Sequence, residues 1–298
     1  MRDMRQGEGL ILKGVGSFYT VLADDGREVV CRARGRFRRE GMRPAVGDRV
    51  RFQEEGDGCR IDDILPRKNL LIRPAAANLD KLFIVLAASA PKADLLLLDK
   101  LLLQCVVAGV TPVIVLNKCD EEPDGMRETL RREYAAAGYR FLFTSAATGE
   151  GAQELKNEIN GCVCCFAGQS AVGKSSLINA ILPGLLLETG ELSRKTEHGR
   201  HTTRHAQLWL VWGGAVLDTP GFSLLDTEAL EPEQLAELYP EMRGKRKDCR
   251  FAQCMHWKEP GCAVKGNVGN DGSISHGRYE RYLLIANELM EKRKHKYD

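Results

Sequence analysis

The stretch FAGQSAVGKSSLINAIL (Phe166–Leu182) decides the fold. Within it GQSAVGKS, from Gly168 through Gln169, Ser170, Ala171, Val172, Gly173 and Lys174 to Ser175, has the spacing G-x-x-x-x-G-K-[ST] of a phosphate-binding loop. Glycines let backbone N–H groups turn inward around phosphate oxygens. Lys174 then reaches the β and γ oxygens, the Ser175 hydroxyl serves as a Mg²⁺ ligand, and Ser176 follows at the start of a helix. The apolar GCVCCFAG before the loop reads as a strand, and SSLINAIL opens a helix whose N-terminus favours an anion. More than half of the chain precedes this loop, which is late for a domain built around it.

Upstream, VIVLNKCD supplies Asn117, Lys118 and Asp120 at the end of a buried strand, a pattern that suits guanine. A carboxylate accepts from both the ring N–H and the exocyclic amine of guanine, a paired donor edge that adenine lacks. Ser145-Ala146 ends another strand and is placed to set a backbone N–H against the guanine carbonyl. Both motifs fall at carboxyl ends of expected parallel strands, where such sheets bind ligands. Downstream, DTPG places Asp218 to hold Mg²⁺ through water and the Gly221 N–H to sense the γ-phosphate, a hydrogen bond that hydrolysis breaks. The polar, aperiodic ETGELSRKTEHGRHTTRH between them is expected to close on the metal through Thr202 or Thr203. Phe222 stands where small regulatory GTPases place a water-orienting glutamine, and an apolar side chain cannot orient water. His201 is the candidate to position or deprotonate that water, an RNA or surface contact being the alternative.

KLFIVLAAS, TPVIVLN and RFLFTSA are short apolar runs suited to strands buried on both faces. ADLLLLDKLLLQCVVAGV, RETLRREYAAAGY and ELKNEIN alternate with them as helices, which makes the sheet doubly wound and mainly parallel. QLWLVWGGAVLDTPG adds a strand pair around Gly213-Gly214. Residues 1–70 differ: short strands broken at Asp24-Asp25-Gly26, Gly47-Asp48 and Gly56-Asp57-Gly58 predict a small barrel. In CRARGRFRR, a period of two puts Arg32, Arg34 and Arg36 on one strand face, a candidate RNA surface. The last helix, RYERYLLIANELMEKRKHK, spaces Tyr279, Tyr282, Leu283, Ala286, Leu289 and Met290 as a packing face and leaves Lys292, Arg293 and Lys294 as candidate RNA contacts.

The 298 residues, 43% hydrophobic and 28% charged, suffice for two or three domains. No uncharged apolar run reaches the length of a membrane span, and MRDMRQGEG lacks the apolar core of a signal peptide, so a cytoplasmic protein is expected. The net charge of +2 is segregated: residues 1–68 hold 15 Lys+Arg against 12 Asp+Glu, and residues 243–298 hold 13 against 7. Two basic ends around an acidic middle point to a polyanion at the ends. Of ten cysteines, Cys249, Cys254 and Cys262 cluster with His256 as C-x(4)-C-x-H-x(5)-C. Three thiolates and an imidazole suit a closed structural Zn²⁺ site, with no position left for catalysis or for metal delivery.

The order NKCD, SA, GQSAVGKS, GRHTT, DTPG, flanked by a barrel and by CRFAQCMHWKEPGC, resembles the ribosome small-subunit-dependent GTPase A (RsgA/YjeQ) family, whose members are circularly permuted GTPases. The resemblance spans essentially the whole chain. It implies a multi-domain α/β protein: an N-terminal OB-fold over 1–70, a permuted GTPase domain over 71–235 and a zinc-binding domain over 236–298. It further implies late maturation of the small ribosomal subunit, with rRNA as partner, GTP and GDP with Mg²⁺ as ligands, and hydrolysis stimulated by the subunit. Phe222 and His201 match that family's apolar residue and switch histidine, while Arg204 departs from a common threonine. A monomer is expected. An RNA-binding scaffold, in which nucleotide only sets conformation, is the competing reading. Because the chain runs from DTPGFSLLD straight into the cysteine module, motion of that switch is expected to reach the RNA-contacting end.

Overall fold

Alternation of apolar and polar residues at the N-terminus produces β1 (Gln6–Val15), β2 (Phe18–Ala23) and β3 (Glu28–Ala33), followed by α1 (Gly35–Arg39), β4 (Arg49–Glu55) and β5 (Gly58–Ile64). The computed structural model describes residues 6–39, 41–55, 58–71, 75–122, 125–182, 206–218, 230–269 and 274–297. The strands close in the order β1-β2-β3-β5-β4-β1, with β3 and β5 parallel, giving the five-stranded OB-type barrel. Ile11, Val21, Cys31, Val50, Phe52 and Ile61 point inward and are buried. At Gly9 a Cβ would lie 2.4 Å from the Leu22 carbonyl oxygen, so only glycine lets β1 approach β2 there.

The expected arginine face does not form. β3 stops at Ala33, and Gly35 starts a helical turn that buries Phe37, so Arg36 leaves the strand. Arg34 pairs with Asp62 at 2.9 Å, and Arg36 donates to the Asp62 carbonyl and lies 3.6 Å from Asp63. Arg32 alone stays on the strand, its guanidinium 4.7 Å from the Phe18 ring centroid. Anchoring one aromatic side chain overrode the period of two.

A short ribbon, β6 (Leu70–Leu71) with β7 (Ala76–Ala77), leads into the alternating region. There follow β8 (Lys81–Ala87), α2 (Leu95–Ala108), β9 (Thr111–Asn117), α3 (Met126–Tyr134), β10 (Arg140–Phe143), α4 (Ala152–Ile159), β11 (Val163–Ala167), α5 (Lys174–Ile181), β12 (Gln207–Val211) and β13 (Gly214–Asp218). Asp94 caps α2 by accepting the Leu97 N–H at 2.9 Å, and Gly109 at φ 67° ends it. The expected helix after Arg127 stops at Tyr134 and continues only as a 3-10 turn to Ala137.

β10-β9-β8-β11-β13 are parallel, and β12 adds to β13 in the opposite sense. Lys13 of β1 faces Gln207 of β12, so the barrel and this sheet are continuous. Along β8, Leu82, Ile84 and Leu86 join one core with α2 and the barrel interior, while Phe83 and Val85 join another with α4 and α5. The carboxyl ends of β8, β9, β10 and β11 therefore open on one edge.

The C-terminal module holds α6 (Pro240–Arg243), α7 (Ala263–Gly266) and α8 (His276–Tyr297). Leu235, Tyr239, Met242, Val264, Tyr282, Ile285, Ala286 and Leu289 form its core together with Leu103 of α2. Tyr279 and Leu283 pack partly against it, which matches the expected helical face. Among the described residues no helix is long and apolar enough to cross a membrane.

Candidate functional site

The loop after β11 has the backbone that its glycines predict. At Gly168 (φ 136°) a Cβ would sit 2.1 Å from the Val85 carbonyl oxygen, and at Gly173 (φ 91°) it would sit 2.5 Å from Asn117 Nδ2. Ala171 also takes a positive φ of 64°. Lys174 folds back, its Nζ donating to the Gly168 carbonyl at 2.9 Å and the Gln169 carbonyl at 2.6 Å. Burial pushes its ammonium below the ordinary lysine value. A phosphate would exchange those two carbonyls for charged oxygens. Ser175 is half-buried in the first turn of α5, and Ser170 and Ser176 are exposed.

Asn117, at the end of β9, is buried and braces three loops at once. Its Nδ2 donates to the Val172 carbonyl at 3.0 Å, and its Oδ1 accepts from Thr144 Oγ1 at 3.2 Å and from the Ala146 N–H at 3.3 Å. Lys118 takes φ 62°, reaches across to the Ala90 carbonyl, and keeps its stem beside Gly173. Asp120, two residues further on, is exposed at the rim of the site. Ser145 is buried, and its hydroxyl accepts the N–H groups of Ala147 at 3.2 Å and Thr148 at 3.1 Å. Its work is to shape the loop that carries Ala146.

Asp218 ends β13, beside β11, which carries the loop. Its carboxylate and the Ser175 hydroxyl are hard oxygen donors of the kind Mg²⁺ takes. His201, Thr202, Thr203 and Gly221, like Phe222 and Arg204, lie outside the described residues.

One hydrogen bond escaped sequence reasoning. The Gln169 side-chain carbonyl accepts the Asp94 N–H at 3.1 Å, tying the phosphate loop to the start of α2. The leucine-rich run was read as a helix, but nothing in the sequence marked Gln169 as a partner of its first residues.

The predicted metal ligands converge. Cys249, Cys254, His256 and Cys262 present one donor atom each, all within 4.8 Å of one another. His256 Nδ1 lies 3.5 Å from Cys249 Sγ and 3.4 Å from Cys262 Sγ, and those sulfurs are 4.0 Å apart. With Zn–S near 2.3 Å and Zn–N near 2.0 Å, the edges of a tetrahedron come to about 3.5–3.8 Å, so the donor set fits the ion. The Lys265 N–H donates to Cys262 Sγ at 3.3 Å. Tyr279 and Tyr282 of α8 donate to the carbonyls of His256 (2.7 Å) and Met255 (2.8 Å), holding the turn that carries the histidine.

The expected basic helix end is exposed and carries surface ion pairs. Arg293 pairs with Glu233 at 2.9 Å, Lys294 with Glu291 at 3.0 Å, and Lys292 is exposed. A cleft of about 570 Å³ also lies beside the metal cluster, lined by Arg243, Arg246, Lys247 and Phe251 together with Glu237, which pairs with Arg246. Arg250 stacks over the exposed Phe251 ring, and Lys258 over the exposed Trp257 ring.

Comparison with known proteins covers the same ground. The RsgA GTPase family model matches residues 64–228, and the RsgA N-terminal domain model matches residues 8–59. The small ribosomal subunit biogenesis GTPase RsgA of Moorella thermoacetica is 48% identical over 96% of this chain and 98% of its own length. That of Geobacillus thermodenitrificans is 42% identical over 96% and 98%. The crystal structure of YjeQ from Thermotoga maritima superimposes with a TM-score of 0.81 at 35% identity, covering 96% of this chain and 99% of that one. YloQ, described as a circularly permuted GTPase, gives 0.78 at 34% identity over 97% and 96%.

Proposed function

The chain belongs to the RsgA GTPase family, and from that premise we propose that it hydrolyses GTP during late maturation of the small ribosomal subunit, with turnover stimulated by that subunit. The observation that carries the site assignment is Asn117, whose one side chain joins the base-reading, Ser145-Ala146 and phosphate loops into a single pocket edge. Asp120 reads the N–H edge of guanine, Lys118 packs along the base, and Gly168 to Ser176 wrap the phosphates. Lys174 stabilises charge that builds on the transferring group. Ser175, Asp218 and either Thr202 or Thr203 would hold Mg²⁺ bound with nucleotide, which would offset phosphate charge. His201 positions the attacking water, and Gly221 reports the γ-phosphate.

Cys249, Cys254, His256 and Cys262 would hold one structural Zn²⁺, which shapes the C-terminal module. Two surfaces suit rRNA. One is the barrel face where exposed Val15, Phe18 and Val30 surround Arg32; the other is the cleft of Arg243, Lys247 and Phe251. The domains run over 1–70, 71–235 and 236–298, and the route from Gly221 into the C-terminal module makes rRNA contact depend on nucleotide.

The test is GTP turnover by the full-length protein with and without small ribosomal subunits, alongside His201→Ala. Stimulation that requires His201 is expected. Tight nucleotide binding without turnover in either condition would overturn the enzyme reading and leave an RNA-binding scaffold.

A further inference from the structure

The nucleotide site makes no direct use of one buried charged group. Asp99, in the middle of α2, is 0% exposed. Its Oδ2 accepts Arg281 Nε at 2.7 Å, its Oδ1 accepts the Tyr134 hydroxyl at 2.5 Å, and Arg278 Nη1 lies 2.6 Å from Oδ1. Both arginines come from α8. Arg278 is 1% exposed, meets Glu241 through Nε at 2.7 Å, and stacks 4.4 Å from the Tyr239 ring centroid. Arg281 reaches Glu133 at 2.7 Å, and Lys100 with Glu288 extends the contact to the surface at 2.7 Å. Desolvating such ions is costly, and apolar side chains of similar volume hold helices together as well or better. What ions add is direction: only one placement of α8 against α2 satisfies Asp99, Glu133 and Glu241 together.

The N-terminal cap of α2 borders the candidate nucleotide site. Five residues before Asp99, the Asp94 N–H donates to Gln169 of the phosphate loop. On the same approach to α2, the Ala90 carbonyl accepts Lys118 of the base motif. Five residues of helix span about 7.5 Å, too short to absorb a displacement by bending.

We infer that Asp99 is a positioning residue for GTP hydrolysis. Held by Arg278 and Arg281, it fixes α2, and the Asp94 cap of α2 holds Gln169 in the phosphate loop. The C-terminal module thereby sets nucleotide affinity from behind the site, by a route separate from the segment that follows Asp218. This rests on the GTPase reading proposed above.

The experiment compares wild type, Arg281→Met and Arg281→Lys as full-length protein, measuring GTP turnover and the Kd of a fluorescent GTP analogue. Because the loop that carries Gln169 holds bound nucleotide before and during reaction, Arg281→Met raises KM and Kd about five- to tenfold, the equivalent of one hydrogen bond. kcat stays within about twofold, as when uniform binding is removed, and Arg281→Lys recovers most of the affinity. A variant with a lowered Tm but unchanged KM and Kd overturns the inference. Should Arg281→Met not fold, hydrogen exchange on wild type decides: binding of a non-hydrolysable GTP analogue must change protection in α8, and unchanged protection overturns it. Failure of wild type itself to bind the analogue would sink the GTPase reading instead.

Discussion

Replacing Asp120 by asparagine isolates base recognition from everything else in the site. Asn117 already commits its amide to Val172, Thr144 and Ala146, so it has little left for the base. Asp120 is exposed at the rim, and its replacement leaves folding stability within about 0.5 kcal/mol. Guanine offers it two donors, and hydrogen bonds to a charged acceptor contribute about 1.5–3 kcal/mol each. Asparagine keeps one neutral bond and turns its own N–H₂ against the exocyclic amine. The net loss is about 3–4 kcal/mol, or a few hundredfold in Kd for GDP. Xanthine carries a carbonyl where guanine has that amine, so Asp120→Asn should bind xanthosine diphosphate more tightly than wild type does. Titration calorimetry with both nucleotides measures this, with Tm as the control for folding. A GDP Kd within about threefold of wild type, or no gain for xanthosine diphosphate, would refute the assignment of Asp120 to the base.

Gly173→Ala would press a Cβ to within 2.5 Å of Asn117 Nδ2 at φ 91°, so nucleotide affinity should fall by about one to two decades through roughly 1–3 kcal/mol of strain. Fluorescent-nucleotide titration checks it, and unchanged affinity would mean that Asn117 does not brace the loop. Metal analysis by native mass spectrometry should find one zinc per chain, absent from Cys262→Ala; a variant that keeps its full complement would show that Cys262 is not a ligand. For pH, the Lys81 ammonium hydrogen-bonded to Glu158 at 2.7 Å holds that carboxyl below the ordinary value. A depressed folded value means the contribution is complete above the unfolded value near 4.3 and disappears as pH falls through the folded one. Glu158→Gln should therefore cost about 1 kcal/mol at pH 7, and its denaturation curve should converge on wild type in acid.

The candidate nucleotide site was readable in its placement because its motifs are local. Gly168, Lys174 and Asp120 each stand within a few residues of a strand end, and spacing alone places them. Asn117 was legible as part of the motif but not in its role, since bracing depends on Val172 and Ala146, which only the folded sheet brings near. Arg34 and Arg36 misled because a period of two was read past the end of β3, where burying Phe37 decided the backbone. Asp99 sat unremarked inside LLLLDKLLL. A carboxylate amid leucines on a helix is a signal of a buried partner, yet Arg278 lies far along the chain. The convergence of Cys249, Cys254, His256 and Cys262 was legible because short spacing leaves few ways to keep four such donors apart.

The pairing of Lys13 with Gln207 has a practical consequence for anyone dividing this molecule. The barrel closes on itself, yet it also lends one edge of β1 to β12, and its interior residues share an apolar cluster with Leu82 and Leu98. Excising it would bare that cluster to water and break the backbone bridge between Lys13 and Gln207. Gene fragments that end between the barrel and β8 should give insoluble product, whereas fusions at either terminus leave the seam intact.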